Sequence, residues 1–213
     1  QLDTFQNIAA DVQAHQPGLE RLTQQANEIV ETSNDSRVPG YVQQLSARYT
    51  ALKSSVDELI EKQQQNVTDH EAYTAAHKQI NNWLETATEK LASNSDPVGE
   101  KDDIENRLEV IQDLMTLKDD TTATFNVAVE AGEKLYPTTS TEGREVIRQE
   151  LRSLREKWEE FSDGLSDANR RLSHALTQWK SFDESYELLQ QWMKDSEIGL
   201  TAHLELKSAP GDK

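Results

Sequence analysis

The chain has 213 residues, no cysteine, and 39 acidic against 22 basic side chains, for a formal charge of −17. An acid excess of that size disfavours nucleic acid, anionic membrane and the acidic surface of actin filaments as direct partners. The missing thiols exclude disulfide and thiolate chemistry and are compatible with a reducing compartment. With 29% charged residues, 6% aromatics, eight glycines and five prolines, the composition is that of long helices with few turns.

In chain order, residues 2–31 carry Phe5, Ile8, Val12, Leu19, Leu22, Ala26 and Ile29 at helical spacing. Pro17-Gly18 interrupts this stretch. Because the stripe resumes in phase at Leu19, the pattern predicts a bend inside one helix rather than two helices. A turn follows over Ser33–Gly40. No proline or glycine then occurs between Gly40 and Pro97, and as one helix that stretch would span about 84 Å. Its apolar residues, from Val38 and Val42 through Leu45, Tyr49, Leu52, Val56 and Leu59, resume at Tyr73, Ile80, Leu84, Ala87 and Leu91. Gln63, Asn66, His70 and His77 fill the gap in the stripe. A second turn covers Ser93–Gly99.

Residues 102–135 form the next predicted helix, with Ile104, Leu108, Ile111, Leu114, Leu117, Phe125, Val129 and Leu135 in step. After a turn over Pro137–Gly143 comes a second very long helix. Thr141 followed by Arg144 is not a capping box, so its start is placed only to within a few residues. The stripe there has no gap: Ile147, Leu151, Leu154, Trp158, Phe161, Leu165, Ala168, Leu172, Ala175, Trp179, Phe182, Tyr186, Leu189, Met193, Ser196 and Leu200 alternate by four and three. Such a stripe requires partner helices. Tyr49, Trp83, Trp158 and Trp192 all fall on the stripes, with Leu154 and Phe161 beside Trp158, and are predicted core. Each buried aromatic removes about 150–250 Å² from water.

The two long helices repeat each other. An offset of 109 residues pairs Leu45 with Leu154, Tyr49 with Trp158, Leu52 with Phe161 and Val56 with Leu165. The same offset pairs Tyr73 with Phe182, Ile80 with Leu189, Trp83 with Trp192, Leu84 with Met193 and Leu91 with Leu200. Upstream of the turn the offset is 105, pairing Val12 with Leu117, Leu22 with Val127 and Ala26 with Ala131. A uniform coiled coil has no reason to turn at fixed intervals.

A period of a little over a hundred residues, L-x-x-x-W-x-x-F at Leu154–Phe161 and I-x-x-W-L at Ile80–Leu84 resemble the spectrin repeat over the entire chain. His15-Gln16-Pro17 matches a third mark of that family, from which the second repeat departs, with Thr122 opposite Pro17. Among its members, EGREVIRQELRSLREKWEEF (142–161) is most similar to the nesprins, with dystrophin-like proteins and spectraplakins as alternatives.

The resemblance implies an all-α fold of tandem three-helix left-handed bundles, joined by continuous helices into an elongated rod. It places helices two and three of one repeat in 1–66, a complete repeat in 67–177, and helix one of a third in 178–213. Because Gln1 begins inside the pattern, a segment of a longer protein is expected.

The implied function is a structural spacer that sets distance and transmits force within a giant linker of the actin cytoskeleton or nuclear envelope. Its location would be cytoplasmic and cytoskeletal, or the outer nuclear envelope through the parent protein. Cytoskeletal or nuclear-envelope partners would be reached through that parent. The alternative is an adaptor, with a partner face on Arg144, Arg148, Arg152 and Arg155 or on the Trp192 stripe. Interleaved glutamates make the arginine cluster read first as a solvated mixed-charge face. Self-association is a further expectation, because both ends present apolar stripes.

No catalytic, metal or cofactor site is expected. HEAYTAAH (70–77) has Thr74 where a zinc protease needs its second histidine, and His70 and His77 lie two turns, about 10 Å, apart. No phosphate-binding glycine loop or nucleophile elbow occurs, and no apolar run reaches the roughly 20 residues of a membrane span. The glycosylation sequons Asn34-Asp35-Ser36 and Asn66-Val67-Thr68 are chance matches in a polar chain.

The inter-repeat junctions differ, polar at Gln63, Asn66 and His70 but apolar at Leu172, Ala175 and Trp179. Gln63–His70 should therefore exchange its amide hydrogens faster than Leu172–Trp179. Equal or greater protection at the first junction would contradict this.

Overall fold

The computed structural model describes residues 2–33 and 37–208, with side chains through His203. Among them are five α-helices and no strand: α1 Leu2–Ala14, α2 Gln16–Ser33, α3 Arg37–Asn94, α4 Lys101–Lys134 and α5 Thr141–Ser208. A 3-10 turn at Tyr136–Thr138 precedes α5. The fold is all-α. Asn34-Asp35-Ser36, and with it most of the predicted first turn, lies outside the described residues.

The interruption near Pro17 is two helices rather than one bent helix. Pro17 has no N–H to donate and its ring excludes the preceding carbonyl. The Gly18 and Leu19 amides instead both donate to the His15 carbonyl, at 3.1 and 3.2 Å. His15 alone stands between α1 and α2. Gly40 and Gly143, predicted in turns, lie inside α3 and α5. Pro39 sits in the first turn of α3, where a missing N–H costs nothing. The cap of α5 is Ser140, one residue before the Thr141 considered in the sequence. Its Oγ accepts from the Gly143 amide at 3.2 Å and its carbonyl accepts from the Arg144 amide at 2.8 Å.

Two compact units divide the chain. The first comprises Gln1–Ala76 and Glu130–Glu145. Its buried apolar residues include Ala26, Val42, Val56, Tyr73 and Leu135. The half-buried Tyr49 donates its hydroxyl to the Val12 carbonyl at 3.0 Å, tying α3 to α1. Asp69 accepts from Lys134 at 2.9 Å and from Gln65 at 2.9 Å, and these bonds, Lys134 foremost, hold its carboxyl below the ordinary range. His70 Nε2 lies 3.1 Å from Thr139 Oγ1. The predicted stripe is only half covered here: Ile8, Leu22, Ile29, Leu45, Leu52 and Leu59 remain 40–53% exposed.

The second unit comprises His77–Val129 and Val146–Lys213. Here the alternation of four and three is realised in burial. Ile80, Leu84, Ala87 and Leu91 of α3, Ile104, Ile111, Leu114 and Ala128 of α4, and the α5 stripe from Ile147 to Leu172 are buried, Trp158 excepted. Half-buried Trp158 stacks on Phe125 of α4, with ring centroids 4.5 Å apart and planes at 21°. It also meets Trp83 of α3 at 5.7 Å, and Trp83 in turn meets Phe161 edge-on at 5.6 Å. One side chain thus ties three helices. Gly164 lets α5 approach Leu91 closely, since a Cβ there would stand 3.3 Å from the Leu91 Cδ2.

Removing Trp158 leaves both ring contacts unfilled. Trp158→Ala is therefore expected to lower unfolding free energy by about 3–5 kcal/mol, with Trp158→Phe losing less. Urea denaturation followed by helical circular dichroism measures both; a loss under about 1 kcal/mol would mean Trp158 is not a core residue.

Candidate interaction surface

Beyond Leu172, α5 leaves the covered core of its unit by degrees. Ala175 and Trp179 are half-buried, whereas Phe182 is exposed. The connection after α3 flanks this exit. The Val98 amide donates to Asp96 Oδ1 at 3.0 Å, and Arg107 donates to the carbonyls of Asp96 and Val98, both at 2.8 Å. Gly99 completes the loop at φ +150°, where a side chain would be strained. Pro97, Val98 and Gly99 then line an open hollow together with Ala175, Gln178, Trp179 and Phe182.

An aromatic row continues outward. Trp179 meets Phe182 edge-on at 5.9 Å, and Phe182 stacks with Tyr186 at 6.0 Å. Lys101 Nζ, in the first turn of α4, donates to Asp183 Oδ2 at 2.7 Å. This bond holds the lysine above its ordinary range.

Past Asp183 the stripe is bare. Phe182, Tyr186, Leu189, Trp192, Met193 and Leu200 are 50–64% exposed. Trp192, predicted as core, is thus a surface residue at 64% exposure. The physical reason is that its counterpart Trp83 has Trp158 and Phe161 against it, whereas Trp192 has no ring contact of that kind among the described residues.

The other predicted sites fall as follows. Leu154 and Phe161 are buried, and Trp83 and Trp158 form the ring cluster described above. Gln63, Asn66 and His70 are half-buried on α3, and Leu172 is fully buried on α5. Arg144 donates to Thr141 Oγ1 at 3.2 Å; Arg148, Arg152 and Arg155 lie exposed along α5. The periodicity did not single out the Arg107 clamp or the Lys101–Asp183 pair, whose only sequence signal is the Asp-Pro-Val-Gly loop between two helices. Among the described residues, no group of three metal-ligating side chains gathers, and no helix is long and apolar enough to cross a membrane.

The comparisons with known proteins agree with this architecture. Muscle-specific protein 300 kDa of Drosophila melanogaster is 31% identical over 215 residues, covering 100% of this chain and 2% of that protein. It and the relatives that follow are giant cytoskeletal linkers, and the similarity is consistent with a spectrin-repeat rod segment. Nesprin-3 of Mus musculus is 26% identical over 118 residues, which is 55% of this chain and 12% of its own. Microtubule-actin cross-linking factor 1 of Mus musculus is 21% identical over 214 residues, 99% of this chain and 3% of its own. The chain thus spans a small fraction of each of these relatives. No protein-family model and no solved structure matches it. These relatives are large cytoskeletal linker proteins.

The Lys101–Asp183 pair carries a definite pH dependence. Its lysine is raised in the folded state, so its stabilisation is fully present below the unfolded lysine value of about 10.4. It is lost as pH rises through the higher folded value. Asp183→Asn should therefore destabilise the second unit at neutral pH, with the difference from the parent chain vanishing at strongly alkaline pH. It should also return the Lys101 titration, followed by carbon NMR at Cε, toward the ordinary lysine value.

Proposed function

We propose that this chain is a spacer segment that sets distance and carries tension along a much longer linker protein. The observation that carries this reading is helix continuity. α3 runs unbroken from Arg37 to Asn94 and α5 from Thr141 to Ser208, so each passes through a predicted repeat boundary, 66/67 or 177/178, without a turn. On this reading 67–177 is one complete repeat, flanked by helices two and three of the preceding repeat in 1–66 and by helix one of the following repeat in 178–213. A helix shared by consecutive bundles transmits load along its axis, and the bundle cores are the elements that yield. Contacts with the actin cytoskeleton, microtubules or the nuclear envelope belong to other parts of the longer protein, which supplies the cytoplasmic and cytoskeletal location.

One observation favours a second reading. The exposed stripe from Phe182 to Leu200 is a contiguous apolar face of the kind that marks interaction sites, and an adaptor would use it for a partner protein.

Pulling the chain from its ends in a single-molecule force experiment tests the spacer. The expected record is a discrete unfolding step of the second unit, releasing about 3.5 Å of contour per residue, with recovery on relaxation. A chain that extends without any cooperative step would sink the load-bearing reading.

A further inference from the structure

A groove of about 570 Å³ lies between α3 and α5 within the second unit. Buried Leu84 and Leu91 of α3 and Phe161 of α5 form its floor. The space exists because the residues flanking it are small: Thr88 and Ala92 on α3, both exposed, and half-buried Gly164 on α5. Gly164 also lets α5 approach Leu91, so the walls stand close while the middle stays empty. All of these residues fall between the predicted repeat boundaries at 66/67 and 177/178. The groove is therefore a feature of one repeat and does not arise from a missing neighbour.

The rim of the groove is acidic where it is free. Glu85 and Glu89 stand on the α3 wall and Glu160 on the α5 wall, and among the described residues their carboxylates have no hydrogen-bond or ion-pair partner. The basic groups lie toward the ends and are engaged. Lys157 Nζ donates to Asn81 Oδ1 at 3.4 Å, and Arg171 Nε lies 2.9 Å from Asp167 Oδ2. We infer that this groove docks a basic amphipathic helix of a partner protein. One large apolar side chain of that helix sits over Leu84, Leu91 and Phe161, while its lysines or arginines reach Glu85, Glu89 and Glu160. Helix-in-groove docking needs an apolar trough for the anchor and complementary charge at its edges, and both are present. From Leu84 to Ser95 the α3 wall runs roughly 16 Å, room for three turns of such a helix. That length covers less than a standard interface, so the contact is weak and reversible. The chain's charge of −17 attracts any cation at long range; the apolar floor is what separates a basic amphipathic helix from a merely basic one. This inference goes beyond the spacer reading and does not depend on it.

The test is two-dimensional NMR of the nitrogen-15-labelled intact chain, titrated with a synthetic helical peptide of about five turns. The peptide carries leucines and one tryptophan along one face, with lysines on either side of them. Saturable binding is expected, with amide shifts concentrated in 84–95 and 157–171. Ala92→Phe fills the groove from an exposed position; it should keep the helical signal and urea midpoint while binding is lost. Glu89→Lys combined with Glu160→Lys should weaken binding by about tenfold or more, since each reversal turns an attraction into a repulsion. These two exposed positions keep the test decisive if Ala92→Phe disturbs packing. Five results overturn the inference. The first is no saturable shift, and the second is equal binding of oligolysine of the same charge, which would mean diffuse attraction to an acidic chain. The third is shifts centred on the Phe182–Leu200 stripe, and the fourth is binding that the charge reversals leave unchanged. The last is groove signals that move with protein concentration before any peptide is added, which would make a second copy the occupant.

Discussion

Trp158 stands where three helices have to agree. Its ring lies on Phe125 from α4 and against Trp83 from α3, while Phe161, one turn further along α5, meets Trp83 edge-on. Rings of that size tolerate little axial slip before contacts are lost, because dispersion falls steeply with small gaps. The cluster therefore fixes the register of the second unit, while Leu, Ile and Ala above and below it supply burial. Gly164 works toward the same end, since only a residue without Cβ lets α5 sit against Leu91 without displacing it. Asn169 is half-buried beside this seam, and its Oδ1 has no hydrogen-bond partner among the described residues.

Charge does little to hold the unit together. The Arg170–Asp167 and Lys180–Glu184 pairs join side chains that are largely solvent-exposed, where screening and side-chain entropy leave small net gains. Their arrangement instead keeps a strongly acidic chain on one track. Acids lie on outer faces and the core carries no buried charge among the described residues. Lys101–Asp183 differs in what it joins, because the first turn of α4 is tied to the portion of α5 where the covered stripe becomes bare.

Spacing made the second unit legible in the sequence. Steps of four and three from Ile147 to Leu172, and the placing of Trp83 and Trp158 on apolar stripes, are consequences of helix geometry and need no tertiary information. Periodicity states which residues seek cover but cannot say whether cover is present. Trp192 has the same spacing as Trp83 and lies exposed. Leu45, Leu52 and Leu59 match Leu154, Phe161 and Ala168, which are buried, yet stay open. The bend predicted at Pro17 became a break because the His15 carbonyl could serve two amides at once, a hydrogen-bonding outcome that phase does not encode. The Arg107 clamp escaped notice for a related reason: a side chain bonding backbone carbonyls nine and eleven residues away leaves no periodic trace.

The exit of α5 from its core shows how one helix can serve two purposes. Leu172 is fully buried, Trp179 half-buried and Phe182 exposed, yet the aromatic row Trp179, Phe182, Tyr186 is continuous. A polar residue at Trp179 would leave the 95–100 loop with less apolar surface to rest on and would divide the stripe into two independent segments. At the equivalent place in α3 the chain has His70, whose ring reaches Thr139 instead of an apolar neighbour. The helix persists through both places, because backbone hydrogen bonds do not depend on the side chain. Both side chains are half-buried; what differs is their polarity, and apolar contacts set how easily those bonds open. Side-chain composition, rather than helix propensity, is thus what distinguishes these two places along the chain.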